Sequence, residues 1–218
     1  MMNTEVLPAN KAAIEEAVRI LKGGGLVAFP TDTVYGVGAH AFQPQAVERL
    51  YIAKARPKEK AIPLLLARVE DLNLVAKDVP DIAWPLIERF WPGGLTLVVP
   101  RSELVPDVVT SGLPNVAVRM PNHPVAISII EALGAPLAAT SANISGHPSP
   151  VAAEGVEKEL GGRIELIVDG GICPGGIPST VLDLTTDPPL IRRRGAISVG
   201  EIEAVLPRVM TEAKGLGR

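Results

Sequence analysis

The chain is poor in the residues that commit a protein to redox, metal or hydrolytic chemistry. It has one cysteine, Cys173, in 218 residues. That excludes a disulfide within the chain and a cysteine-based metal cluster. The three histidines, His40, His123 and His147, do not fall at metal-ligand spacing and read as loop residues. No nucleophile elbow or Ser-His-Asp order is present, and Cys173, in Gly-Ile-Cys-Pro-Gly, reads as incidental. No apolar run reaches about 18 residues, and no signal pattern opens the chain. A basic excess is also missing: Lys+Arg is 21 against 24 for Asp+Glu, a net charge of -3. A protein whose main task is non-specific nucleic-acid binding is usually basic; a local basic groove remains compatible with this balance. The expected class is a cytoplasmic enzyme or binding protein.

What is present suggests a soluble α/β domain. Hydrophobic residues make up 47% of the chain and charged residues 21%. The 21 glycines and 21 prolines are spread along it, which implies many tight turns. One stretch organises the rest. Leu26 to Phe29 is an apolar run with the look of a buried strand, and Pro30 ends it. A loop rich in hydroxyls follows, with Thr31, Asp32, Thr33 and Tyr35. A helix from Pro44 to Ala55 then delivers Lys54 and Arg56. Val47, Leu50, Tyr51 and Lys54 share one helix face, so Lys54 lies at the edge of the buried side. It either snorkels past its neighbours or reaches a ligand. Arg56-Pro57 ends the helix and places Arg56 on a turn. Gly23-Gly24-Gly25 precedes the strand. Phosphate loops follow a strand, so this run reads as a helix cap and turn.

The remaining pattern alternates helices and short strands. Ala9 to Lys22 is an amphipathic helix capped by Asn10; Asp81 to Phe90 and Pro124 to Leu133 are others. Strands are expected at Ile62–Leu66, Leu95–Val99, Leu137–Ala139, Glu165–Val168, Ser179–Leu184 and Leu190–Arg193. Val116, Val118 and Met120 alternate with Ala117 and Arg119. Arg119 therefore points away from the valines, to a solvated surface or into a cleft. Ser149-Pro150 is expected to start a helix, and Ser198 with Glu201 forms a capping box for the last one, to Leu206. The order has no clean βαβ repeat, which suggests a twisted mixed sheet flanked by helices.

Six clusters can carry chemistry: Thr31 to Tyr35, Lys54-x-Arg56, Arg119, Thr140-Ser141-Ala142-Asn143, Ser179-Thr180 and Arg192-Arg193-Arg194. All lie at strand ends or adjacent loops, where α/β sheets bind ligands. They favour hydrogen bonding and charge neutralisation, with arginine forks for phosphate or carboxylate oxygens. Without a nucleophile motif, a reaction would rest on positioning and electrostatics, as in phosphoryl or nucleotidyl transfer.

In this order the motifs resemble those of the YrdC/Sua5 family of threonylcarbamoyl-AMP synthases. They are Gly25 through Pro30-Thr31-Asp32-Thr33-Val34-Tyr35-Gly36 to Gly38, Lys54-x-Arg56-Pro57, Trp91-Pro92-Gly93-Gly94-Leu95-Thr96, Val118-Arg119-Met120-Pro121, Ser141-Ala142-Asn143-Ile144-Ser145-Gly146 and Pro178-Ser179-Thr180-Val181-Leu182-Asp183. The resemblance runs from about Ala12 to Leu206. It implies an open, twisted, mixed α/β sheet flanked by helices, with a large concave cleft. It also implies that L-threonine, bicarbonate or CO2, and ATP react to give threonylcarbamoyl-adenylate and pyrophosphate. A divalent cation, Mg2+, would accompany the ATP. The product would feed t6A modification at position 37 of ANN-decoding tRNAs, with other t6A-synthesis proteins as partners, tRNA acting downstream and no membrane involved.

By the same resemblance, Thr33, Tyr35, Arg119 and Ser179 belong to the threonine site. Lys54 and Arg56 face the ATP phosphates as the catalytic pair, joined in ATP binding by Lys60, Ser141, Asn143, Ser149 and Arg193. No metal ligand is carried over. The sequence departs from the family where Lys60 stands for Asn, Leu65 for His and Arg194 for Pro. Residues 1–209 are expected to form one catalytic domain and 210–218 a flexible tail, as in the short, single-domain type. The alternatives are a non-catalytic RNA-binding module and a paralogue that transfers a carbamoyl group to another acceptor.

Overall fold

The computed structural model describes residues 3–211. Strand β1 (Glu5–Pro8) is followed by helix α1 (Lys11–Lys22). The Asn10 side chain accepts the Ala13 amide, satisfying one of the donors a helix start leaves open. Gly23 ends the helix, and Gly24 takes φ +78°, a left-handed turn conformation that glycine adopts without penalty. The triple glycine is thus a turn. It leads into β2 (Val27–Phe29) and, after the Thr31–Tyr35 loop, into β3 (Gly36–His40).

β3 was not expected from the sequence. It reads Gly-Val-Gly-Ala-His, without the run of β-branched and aromatic residues that marks a strand. Its small residues make room for the ring of Phe29. A Cβ at Gly36 or Gly38 would sit 3.3 Å from that ring.

Helix α2 (Pro44–Ala53) stops two residues short of the expected end. Ala55 then takes φ +48° and turns the chain toward Arg56. The next strand, β4, shrinks to Leu64–Leu65. Short helix α3 (Leu72–Val75) and α4 (Ala83–Phe90) precede β5 (Leu95–Pro100), a four-residue helix α5 (Asp107–Thr110) and β6 (Asn115–Arg119). Helix α6 (Pro124–Leu133) and β7 (Leu137–Ser141) come next. The helix expected at Ser149-Pro150 begins later, as α7 (Ala153–Leu160). The chain then adds β8 (Leu166–Asp169), β9 (Thr180–Asp183), β10 (Leu190–Arg193), α8 (Val199–Glu203) with its Ser198–Glu201 capping box, and β11 (Met210–Thr211). The tail expected from residue 210 is therefore corrected at its start. Met210 and Thr211 pair in parallel with Leu190 and Ile191; residues 212–218 lie outside the described residues.

All eleven strands join one open mixed sheet in the order β1-β8-β2-β3-β7-β4-β6-β5-β9-β10-β11. Strand alternation gives it two faces with separate cores. Val37, Leu64, Leu97, Val118, Ala138 and Leu182 face one core, beneath α2, α4 and α7. Val27, Phe29, Leu65, Leu137 and Leu166 face the other, beneath α1 and α6. These two helices cover only the β8–β2–β3–β7 side of their face. Toward β6, β5, β9 and β10 the same face carries Ala117, Arg119, Thr96, Val181 and Arg193, all in the wall of a cleft. The cleft exists because small and polar residues stand where a third covering helix would need large apolar ones.

Candidate active site

The cleft holds about 360 Å3, within the roughly 300–1,000 Å3 usual for small-molecule sites. Its floor is apolar, with Leu65, Ala117, Ala139 and Val181. Leu65 and Ala139 also belong to the core under α1 and α6, so the floor is continuous with packed structure. Four arginines reach the wall, Arg56, Arg119, Arg192 and Arg193, and no carboxylate residue does among the described residues.

Arg119 defines the inner end. The strand pattern left its direction open; the structure turns it into the cleft, where it is 7% exposed. Its Nε donates to the Gly93 carbonyl at 2.8 Å, Nη1 to Thr33 Oγ1 at 3.0 Å and Nη2 to Asp32 Oδ1 at 2.6 Å. Asp32 Oδ1 also accepts the Asn122 amide at 3.0 Å. Three of the five guanidinium N–H groups are thereby used by the protein, leaving one on each terminal nitrogen for a ligand. Burial lowers the Arg119 pKa, and Asp32 opposes the shift. Thr33 Oγ1 lies 3.0 Å from Thr31 Oγ1, which donates to the Val34 carbonyl at 2.7 Å and folds the loop back on itself. Tyr35 borders the cleft but its side chain is fully buried and packs in the core of the opposite face, its hydroxyl donating to the Gly171 carbonyl at 2.9 Å. Burial raises its pKa.

The outer end is built differently. Ser179 Oγ sits 2.7 Å from Thr96 Oγ1 and accepts from Arg193 Nη2 at 3.1 Å, while Arg193 Nε donates to the Ser179 carbonyl at 3.0 Å. Gly195 allows this approach, since a Cβ there would lie 2.2 Å from the Pro178 carbonyl oxygen. Arg56 donates from Nε to the Lys60 carbonyl and from Nη2 to the Ala61 carbonyl, at 2.9 and 2.7 Å. Neither Arg56 nor Arg193 has a carboxylate within ion-pair distance among the described residues. Burial lowers the Arg193 pKa, and the charges of Arg119 and Arg56 lower it further. Such crowding of like charge is relieved by an anion. Arg192 pairs with Asp183 Oδ2 at 3.0 Å.

Of the residues expected at the site, Thr33, Tyr35, Arg56, Arg119, Ser141, Ser149, Ser179 and Arg193 line the cleft. Three do not. Lys60 is exposed, and what it brings to the site is its carbonyl under Arg56. Lys54 is 1% exposed and lies behind the wall, its Nζ donating to the Ser141 carbonyl at 2.5 Å and to the Asn143 carbonyl. Asn143 is also buried. Its Nδ2 donates to the carbonyls of Ile144 and His147, and its Oδ1 has no partner among the described residues. Thr96, and Thr140 and Arg192 from the clusters, line the wall without having had an assigned role, and Asp32 is the partner of Arg119. Thr96 was legible as a polar residue between Leu95 and Leu97 on a buried strand. Asp32 was named within the loop cluster, but its role was not, because its partner Arg119 is 87 residues away.

An open α/β sheet whose cleft wall holds four arginines and, among the described residues, no carboxylate has the charge that suits small anionic ligands. The chain belongs to the Sua5/YciO/YrdC family: the family's profile, described as telomere recombination, matches residues 19–195. The chain is 48% identical over 196 residues to the threonylcarbamoyl-AMP synthase of Pyrococcus abyssi, covering 90% of this chain and 58% of that protein. It is 44% identical over 214 residues to the enzyme of the same name from Bacillus subtilis, covering 98% of this chain and 62% of that protein. Among solved structures, P. abyssi Sua5 complexed with L-threonine superposes with a TM-score of 0.91 at 45% identity, over 97% of this chain and 62% of that one. The chain thus spans about three-fifths of the length of these relatives.

Proposed function

We propose that the cleft joins L-threonine, bicarbonate or CO2, and ATP as L-threonylcarbamoyl-adenylate, releasing pyrophosphate. The observation that carries this reading is the division of its four arginines into a buried inner end and an open outer end, with no carboxylate in the wall among the described residues. The inner end suits one small carboxylate. Arg119 keeps one N–H on each terminal nitrogen, a bidentate fork for the threonine carboxylate, and Thr33 Oγ1 is its hydroxyl partner; Ser179, held by Thr96 and Arg193, would complete the threonine pocket where the two ends meet. The outer end suits a polyphosphate, with Arg56, Arg192 and Arg193 around it and Ser141 and Ser149 along the nucleoside side.

The neutral threonine amine adds to CO2 and loses a proton, giving a carbamate. A carbamate oxygen attacks the α-phosphorus, and pyrophosphate leaves. The side chains of the wall supply position and charge. Arg119 fixes the amino acid, and the outer arginines stabilise negative charge that builds on the departing pyrophosphate. Mg2+ is expected with ATP, but the described residues offer no group of acidic, His or Cys side chains to hold it. A magnesium ion would travel on the triphosphate. The adenylate would serve t6A modification of tRNA, with the other proteins of that process as partners.

The test is pyrophosphate release in the presence of ATP, Mg2+, bicarbonate and L-threonine. Release that depends on threonine is expected; the same rate with and without threonine would sink the proposal.

A further inference from the structure

We propose that Lys54 is a positioning residue: it bolts the end of α2 to the loop after β7 and so sets Ser141 in the cleft wall, without holding a phosphate itself. The inference rests on the nucleotide-binding reading above.

Three contacts run from this one residue to one loop. Nζ donates to the carbonyls of Ser141 and Asn143, and the Lys54 carbonyl accepts the Ser145 amide at 2.9 Å. The side chain is 1% exposed and is absent from the cleft wall, whereas Ser141 is part of that wall. Two of the three ammonium N–H groups go to these carbonyls, and burial behind the wall keeps the third from the cleft. Removing the lysine would leave the buried Asn143 carbonyl without its donor, a penalty of about 1–3 kcal/mol, while the Ser141 carbonyl would keep the Asn143 amide at 3.0 Å. The loop is then secured from its other side. Asn143 Nδ2 binds the carbonyls of Ile144 and His147, and Glu159 accepts the Ile144 amide at 2.9 Å and meets His147 Nδ1 at the same distance. Lys54 and Asn143 form the back of this element, and Ser141 is its face toward the ligand.

The charged groups around Lys54 fit this role. Burial lowers its pKa to about 7, the Arg56 guanidinium acts in the same direction, and Glu159 opposes them. A neutral amine still has two N–H groups, enough for both carbonyls. The clasp survives loss of the charge, which a phosphate contact would not.

The experiment measures dissociation constants for AMP, ADP and ATP by calorimetry, without threonine. The proteins are the unaltered chain, Lys54→Met, Lys54→Gln and, as the phosphate reference, Arg56→Ala. Lys54→Met should weaken all three nucleotides by a common factor of about ten. Lys54→Gln keeps a donor and loses the charge; it should weaken them about threefold, again equally. Arg56→Ala should instead weaken ATP more than AMP. A Lys54→Gln protein that loses ATP affinity while binding AMP normally would overturn the proposal. Hydrogen exchange on the free proteins tests the clasp without any ligand. Peptides covering residues 141–147 should exchange faster in either Lys54 variant, and unchanged protection would also overturn it. An unaltered chain that binds no adenine nucleotide would defeat the parent reading, leaving the exchange result to judge the clasp.

Discussion

At the inner end of the cleft, Arg119 is almost wholly buried and meets the Asp32 carboxylate at 2.6 Å. At the outer end, Arg56 and Arg193 stand closer to solvent and meet carbonyl and hydroxyl oxygens. The difference follows from the cost of burying charge. A guanidinium removed from water needs a counter-charge and a full set of acceptors, and the fold supplies both to Arg119. Nearer to water, neutral acceptors suffice, and net positive charge can be kept for a ligand. The inner arginine is therefore fixed in advance, as the proposed capture of one carboxylate requires. Arg193, its pKa lowered first by burial and then by the charges of Arg119 and Arg56, is the group that a bound anion would relieve most.

The largest effect should come from Arg119→Ala. It removes the carboxylate fork and strands Asp32, so threonine-dependent turnover should fall by about 1,000-fold, roughly 4 kcal/mol. Stability should also fall, by about 3–5 kcal/mol as for other broken buried pairs. Arg119→Lys should not rescue activity, since one ammonium cannot serve Gly93, Thr33 and Asp32 and also fork a carboxylate. A threonine KM that stays unchanged in Arg119→Ala would break the contrast between the two ends.

Asp32→Ala comes next and separates fold from ligand. It leaves Arg119 buried without its counter-charge, so urea unfolding should show a loss of about 3 kcal/mol. ATP affinity, set at the other end, should remain within about twofold. An equal loss of ATP affinity would mean that the ends act as one unit.

At the outer end, Arg56→Ala and Arg193→Ala should each raise the ATP KM by about 10- to 30-fold, or 1.4–2 kcal/mol. The melting temperature of the free protein should hardly move, because neither residue has a buried ion-pair partner to strand. Raising salt should weaken ATP binding to the unaltered chain more than to either variant. Variants that lose stability and keep ATP affinity would invert the assignment.

Parts of this contrast were open to reading from sequence, and the limits were physical. The helix over α1, the strand of Arg119 and the turn at Arg56 each follow from local signals: a cap, a period of two and a proline. β3 was missed because Gly36 and Gly38 are chosen to fit Phe29, so the strand lacks strand-like residues. Sheet order was out of reach, since β8 inserts between β1 and β2 and only tertiary packing decides that. At the site, Lys54 was placed correctly on the edge of a buried helix face. Whether it turned outward to a ligand or inward to a loop depended on carbonyls 87 and 89 residues away. Such partners leave no trace in spacing.

The smallest effect concerns Lys54, the cation behind the wall, and it is read as pH dependence. Its folded pKa is about 7, below the 10.5 ordinary for lysine, with burial as the main cause. Between those values the unfolded chain binds the proton and the folded chain does not. Stability then rises with pH, because the slope follows protons bound in the unfolded state minus those in the native state. The contribution of Lys54 is therefore lowest at and below pH 7 and grows above it, by up to about 1.4 kcal/mol per pH unit. Cys173, whose pKa is raised by burial, and Tyr35, raised likewise, act in the opposite sense at higher pH. The useful window is thus pH 7–8.5, with urea unfolding of the unaltered chain compared against Lys54→Met. The difference between the two should widen in favour of the unaltered chain by about 1–2 kcal/mol across that window. Parallel curves would show that the ammonium keeps its proton in the folded state. Lys54 would then be a buried cation held by its carbonyls as Arg119 is held by Asp32.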